Sequence, residues 1–177
     1  MKEVFITAVD PNDTEVGKIE KMEAHRQGIL HRAFSVFIFS TRGKLLMQKR
    51  ALTKYHSGGL WTNTCCSHPD YGEDLKQAVN RRLKEEMRME CKLDPVFHFI
   101  YRVDLDHGLI EHELDHVFFG ITDREPVPDP EEVADWKYIS MDELKNEINK
   151  YPEQYTAWLK ICFSSVYEKW QEIFEIK

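Results

Sequence analysis

The segment Ser67-His68-Pro69-Asp70-Tyr71-Gly72-Glu73-Asp74-Leu75-Lys76-Gln77-Ala78-Val79-Asn80-Arg81-Arg82-Leu83-Lys84-Glu85-Glu86-Met87-Arg88-Met89 changes character at Asp74. From Asp74 to Glu90 the apolar residues Leu75, Ala78, Val79, Leu83 and Met87 recur at intervals of three and four, which predicts an amphipathic helix. Its polar face carries Arg81, Arg82, Glu85 and Glu86, charges that a surface helix bridging itself would also show. Immediately upstream, Trp61-Thr62-Asn63-Thr64-Cys65-Cys66-Ser67-His68-Pro69 sets a thiol two residues before an imidazole in a stretch poor in charge. A thiol there can pack as a small hydrophobe, exchange protons, or attack an electrophile, and the histidine can be its base or a separate metal ligand.

The rest of the 177-residue chain bounds the answer: with 42% hydrophobic residues it can bury one core, and a single domain over residues 1–177 is expected. A net charge of -7 with both signs intermixed leaves no basic stripe for nucleic acid, so any polyanion must meet a local basic cluster. Cys65 and Cys66 adjoin while Cys91 and Cys162 lie far off, which is no disulfide framework and fits a reducing cytoplasm. No export signal and no run long enough to span a bilayer is seen, so no membrane association is expected.

Val4 to Val9 reads as a strand closed by the turn formers Asp10-Pro11-Asn12-Asp13. The polar stretch Lys18 to His25 follows, and His25 and His31 flank Gly28 at a spacing that a loop or helix end would present. Arg32 to Phe39 has the composition of a strand buried on both faces, and Thr41 to Lys44 turns it into Leu45 to Gln48 as a hairpin. Arg50 and Lys54 form a short basic group ahead of the flexible Gly58-Gly59. After Pro95, Phe97, Phe99, Tyr101 and Val103 share one face of a strand, so Tyr101 is as much a packing residue as a chemical one. Its partner, Leu109 to Ile121, sets Glu111, Glu113 and Asp115 on one face, and buried carboxylates need a cation to receive them. A long loop from Asp123 to Asp135, a short strand at Trp136 to Ile139, a helix capped at Ser140 and a long terminal helix with Tyr155, Trp158, Leu159, Cys162, Phe163, Val166 and Trp170 inward complete the chain.

The spacing Ser67-x5-Glu73-x7-Arg81-Arg82-Leu83-Lys84-Glu85-Glu86-Met87-Arg88-Met89 resembles the Nudix box G-x5-E-x7-R-E-U-x-E-E-x-G-U. Ser67 and Arg88 stand in place of the glycines and Arg82 in place of the first Glu of the R-E pair. Together with Trp61 to Pro69, this eroded box resembles the type I isopentenyl-diphosphate isomerases, which share the Nudix fold. Matching segments run in order at Glu20 to Phe34, Arg50 to Pro69, the box helix, and Tyr101 to Glu113. The resemblance implies an α+β fold, an α/β/α sandwich with a mixed sheet flanked by helices. It implies conversion of isopentenyl to dimethylallyl diphosphate for isoprenoid biosynthesis by way of a tertiary carbocation.

On that resemblance Glu113 with Tyr101 delivers a proton, Cys66 as thiolate removes another, and Trp158 shields the cation. Lys21, Arg50, Lys54 and Arg82 would hold the diphosphate. His25, His31, His68, Glu111 and Glu113 would bind a divalent ion (Zn, Mn or Mg), a donor set that suits all three. Mg would join Glu86 to the diphosphate. The partner is then a small prenyl diphosphate, with the chain a monomer or a homodimer. Two alternatives remain at this point: a Nudix pyrophosphohydrolase, disfavoured by the substituted box, and a non-catalytic zinc module, disfavoured because adjacent cysteines are not a C-x2-C knuckle.

Overall fold

In a computed structural model describing residues 3–174, β1 (Phe5–Val9) pairs antiparallel with β2 (Glu15–Glu20). Helix α1 (Lys21–Gln27) follows at once. The Glu20 carboxylate caps it by accepting from the backbone N–H groups of Met22 and Glu23, and Gly28 ends it at φ 64, a left-handed conformation suited to glycine. The strand β2 and this helix replace what the sequence showed only as a polar stretch. The helix end presents His25, and His31 opens β3 (His31–Phe39).

β3 is the central strand. Strand β8 (Ile110–Ile121) lies parallel along one edge, with His31 opposite Glu113 and Phe39 opposite Ile121. The other edge is shared in turn by β1 at His31, by β6 (Cys65–Ser67) at residues 34–36, and by β4 (Leu45–Arg50) at Ile38 and Phe39. The expected hairpin of β3 with β4 is therefore only two residue pairs long. The short β6 occupies the rest of that edge, while β4 continues beside β5 (Trp61–Thr62) and β9 (Val133–Ile139).

β7 (Leu93–Asp104) pairs antiparallel with β8 and begins ahead of Pro95. The proline sits at a register shift, where its missing N–H interrupts no ladder bond. β9 starts inside the stretch read as a loop, at Val133.

The pleat divides the core in two. Phe34, Val36, Ile38, Leu46 and Phe118 face α2 (Leu75–Met87) and its Ala78, Val79, Leu83 and Met87. Phe37, Phe39, Leu45, Met47, Val117 and Phe119 face α3 (Met141–Lys150) and α4 (Ala157–Phe174). Both faces of β3 are thus dry, which explains its unbroken apolar run. Asp74 and Ser140 cap α2 and α3, each accepting a backbone N–H three residues on. Tyr155, grouped by periodicity with the last helix, is buried just ahead of α4. Arg88, where the box has glycine, ends α2 at φ 54. That left-handed conformation is the physical reason the box favours a glycine there.

Candidate active site

Sheet register assembles the site. On β8, Glu111, Glu113 and Asp115 share the α4-facing side with Val117 and Phe119. On β7, Tyr101 stands opposite Glu113. On β6, Cys65 points to the α2 side and is fully buried, so Cys66, one residue on, points the other way. Cys66, Tyr101, Glu111, Glu113, Trp158 and His68 line one cavity together with Lys21, Arg50, Lys54 and Arg82. Every catalytic and diphosphate-binding residue expected from sequence faces this cavity. Lys21, Lys54, Arg82 and His68 also line an adjoining outer recess, so three cations mark the mouth.

A carboxylate and phenol cluster forms the floor. Tyr101 Oη lies 2.7 Å from Glu113 Oε2 and 2.8 Å from Glu111 Oε2. A phenol has one proton to donate, so two carboxylates around it need a further proton or a cation. Burial opposes charge on Glu113, and positive charge at the His31 and His68 nitrogens, whether a ring proton or an ion in its place, holds its pKa well below the usual carboxylate range. Burial, with the Glu113 charge adding to it, pushes Glu111 well above that range.

Three imidazoles converge beside Glu113. The Nδ1 atoms of His25 and His31 each meet a backbone carbonyl at 2.7 Å, Lys21 O and Ile29 O. A ring that donates from Nδ1 to a carbonyl carries a bare lone pair on Nε2. His31 Nε2 nonetheless lies 3.2 Å from His68 Nε2, which is 2.8 Å from Glu113 Oε1, and buried His25 Nε2 has no protein partner. Lone pairs facing one another in a dry site repel unless a cation lies among them, so these donors fit a divalent ion. Donor atoms of His25, His31, His68 and Glu113 all lie within 4.8 Å of one another. Burial lowers His25 to about 4 and His68 to about 3, which keeps both rings neutral and ready to ligate. Glu111, expected in the same set, also has a donor atom within 4.8 Å of those of His25 and His56.

His56 was not foreseen from sequence, nor were Ser35 and Tyr55 as lining residues. The only hint was an imidazole ahead of the Gly58-Gly59 bend. His56 Nε2 lies 3.3 Å from Glu111 Oε1, and its ring meets Trp158 edge-on at 5.8 Å. Burial, then the nearby Arg50, pushes its pKa far down.

The segment before Cys66 is held by side chains. Asn63 Nδ2 donates to Val36 O and Cys65 O at 3.1 and 2.8 Å, and its Oδ1 accepts from Trp158 Nε1 at 3.3 Å. The indole is thereby tied to the Cys66 loop, while the Arg50 guanidinium lies 5.3 Å over its ring. Burial pushes the Cys66 thiol up, with Arg50 pulling it back.

The cations at the mouth are only partly neutralised. Lys54 pairs with Glu132, and Arg82 with Glu86, Glu85 and Glu132 at 2.6, 2.8 and 3.4 Å. Burial, then repulsion from Lys54, Arg82 and Arg50, lowers Lys21 to about 8. Such a group invites a polyanion. Glu86 lies behind the cavity wall, between Arg82 and Gln48 Nε2 at 2.9 Å. Glu73 clamps Arg81 through two 2.7 Å bonds, so this part of the box is structural.

The NUDIX domain family model matches residues 29–159. An isopentenyl-diphosphate Delta-isomerase of Pectobacterium atrosepticum is 52% identical over 94% of this chain and 93% of its own. This chain belongs to the isopentenyl-diphosphate Delta-isomerase family. Isopentenyl-diphosphate Delta-isomerase 2 of Photorhabdus laumondii is 46% identical across 98% of this chain and 99% of its own. Among solved structures, DR0079 of Deinococcus radiodurans superposes with a TM-score of 0.70 at 18% identity, covering 83% of this chain and 90% of its own. A MutT protein of Methanosarcina mazei gives 0.64 at 16% identity, over 79% and 94%. These two likenesses are of fold. The mixed sheet with helices on both faces is the α+β architecture expected. Among the described residues no helix is long and apolar enough to cross a membrane.

Proposed function

We infer that this member of the family isomerises isopentenyl diphosphate to dimethylallyl diphosphate, with the named cavity residues as its machinery. One observation carries the assignment of roles: Cys66 and the Tyr101–Glu113 pair line one cavity whose mouth holds Lys21, Lys54 and Arg82.

The cations at the mouth, with Arg50 deeper in, bind the diphosphate and so fix a five-carbon tail whose own contacts are too few to place it. The tail then lies between Glu113 with Tyr101 and Cys66. Addition of a proton to the terminal methylene gives a tertiary carbocation, and loss of a proton from the adjacent methylene on the diphosphate side leaves the new double bond. The acid is Glu113, relayed or steadied by Tyr101, and the base is Cys66 sulfur. Carboxylic acid plus thiolate contains the same number of protons as carboxylate plus thiol, so the carboxylate–thiol arrangement is a tautomer of the working one. It is the arrangement that the reverse reaction requires. The Trp158 ring face favours positive carbon without attacking it, worth roughly 0.5–2 kcal/mol, so positioning and exclusion of water must supply most of the rate.

His25, His31, His68 and Glu113 would hold a divalent ion (Zn, Mn or Mg), with Glu111 beside them, and the ion would supply positive charge that steadies the carboxylate cluster. Glu86 would reach a diphosphate-bound Mg only by exchanging its contact with Arg82. With Arg82 replacing a box carboxylate, the cluster of acids that a pyrophosphohydrolase requires is incomplete.

The test is incubation with isopentenyl diphosphate and Mg in deuterated water, followed by NMR. Deuterium in a methyl group of dimethylallyl diphosphate, with no phosphate released, is expected. Release of phosphate or pyrophosphate without the allylic product would overturn the assignment.

A further inference from the structure

We propose that Glu132 sets the affinity of the site for diphosphate, because its carboxylate and the substrate compete for the same two cations, Lys54 and Arg82. The inference rests on the reading of those cations as diphosphate ligands and adds a residue outside the expected set. A single oxygen makes both contacts: Glu132 Oε2 accepts from Lys54 Nζ and lies 3.4 Å from Arg82 Nη2. One anionic oxygen shared by an ammonium and a guanidinium is the arrangement a phosphate oxygen would take there.

Glu132 differs from the other acids near the mouth. Glu86 meets Arg82 at 2.6 Å from behind the cavity wall, and Glu85, at 2.8 Å from the same guanidinium, is not among the residues lining the recess. Asp70 lines the recess but faces Arg81 at 3.7 Å, and its side chain is 62% exposed. Glu132 lines the recess beside Lys21, Lys54 and Arg82 with its side chain only 26% exposed, so water and salt screen its contacts less. Burial works against its charge, but the hydrogen bond from Lys54, then the charges of Lys54 and Arg82, outweigh it and lower the carboxyl pKa, so Glu132 is ionised at neutral pH.

The main chain at Glu132 is fixed without the carboxylate. Glu132 O accepts from Ala51 N and Glu132 N donates to Asp129 O, both at 3.0 Å, while Asp129 N donates to Glu86 O at 2.9 Å. These bonds tie the approach to β9 both to the segment that carries Lys54 and to α2, which carries Arg82. The side chain can therefore leave the two cations by rotation alone. An anion tethered in this way lowers the fraction of molecules whose Lys54 and Arg82 are open to substrate, and the apparent dissociation constant rises by the inverse of that fraction.

The experiment measures calorimetric binding of inorganic pyrophosphate with Mg to the full chain, alongside steady-state kinetics. Glu132→Gln keeps the size of the side chain and removes its charge; it should bind pyrophosphate about three- to tenfold more tightly, and KM for isopentenyl diphosphate should fall by a similar factor. The gain should lie in KM and not in kcat, since loss of a competitor strengthens ground-state and transition-state binding alike. Glu131→Gln makes the same change in net charge at the exposed neighbouring residue and should shift neither quantity.

An effect of Glu132→Gln no larger than that of Glu131→Gln, or weaker pyrophosphate binding as a purely structural clamp on Lys54 predicts, would overturn the inference. Pyrophosphate affinity unmoved by Lys54→Met and by Arg82→Met would instead remove the reading of the cations on which it rests. Should Glu132→Gln fail to fold, a crystal structure of the unmutated chain with pyrophosphate decides. Glu132 Oε2 is expected away from both Lys54 and Arg82, and its persistence between them would overturn the inference.

Discussion

The two adjacent cysteines offer a paired experiment in which sequence position is nearly constant and only the side of the sheet changes. Cys65 has no exposed surface and packs with Val36, Leu83 and Met87 on the α2 side, whereas Cys66 lines the cavity. Cys65→Ala deletes one buried heavy atom with no room for collapse around it, comparable to removing a core methylene. It should cost about 1 kcal/mol, or a melting temperature lower by about 2–4 °C for a domain of this size. Turnover should stay near normal, because the sulfur faces away from the cavity.

Cys66→Ala should leave the melting temperature within about 2 °C, since the thiol borders open space and makes no hydrogen bond on which the fold depends. Its turnover should fall by about 100- to 10,000-fold or more, the contribution of a positioned acid or base. Dimethylallyl diphosphate formation followed by NMR, with thermal melts of both variants, gives the four numbers. Near-normal turnover in Cys66→Ala, or an inactive but folded Cys65→Ala, would refute the assignment and with it the facing inferred from the β6 register.

Glu113→Gln should lose turnover by more than about 100-fold and bind metal more weakly, measured by assay alongside metal analysis; full metal content with no turnover would confine Glu113 to proton transfer. Lys21 has a lowered pKa of about 8, so its charge is present below that pH and is lost above it; KM should rise as pH passes through about 8, and Lys21→Met should flatten that rise. Asn63→Ala strands the buried carbonyls of Val36 and Cys65 and frees the Trp158 indole, so urea unfolding should show a loss of roughly 2–4 kcal/mol, with kcat falling as well. Arg88→Gly removes a side chain from a left-handed helix end at φ 54 and should leave stability equal or raise it by about 1 kcal/mol, read from the same unfolding curves.

The sequence by itself determined the periodic elements and the residue types that the chemistry needs. The stripe Leu75, Ala78, Val79, Leu83 and Met87 gave α2, and the continuous apolar run of β3 announced burial on both faces, because side-chain period follows from local backbone geometry alone. The motif from Trp61 to Pro69 and the altered box were legible for the same reason: they are contiguous.

What required the tertiary structure was everything set by strand pairing. Only the register of β8 against β3 and β7 brings Glu113 to His31 and Tyr101, and only the insertion of the short β6 at the β3 edge turns Cys66 inward while Cys65 packs in the core. His56 entered the site through a bend without periodicity, since no local pattern fixes distances between donors about fifty residues apart. The proton arrangement was likewise invisible in the chain, because burial and neighbouring charge, which decide whether Cys66 or Glu113 holds the proton, exist only after folding.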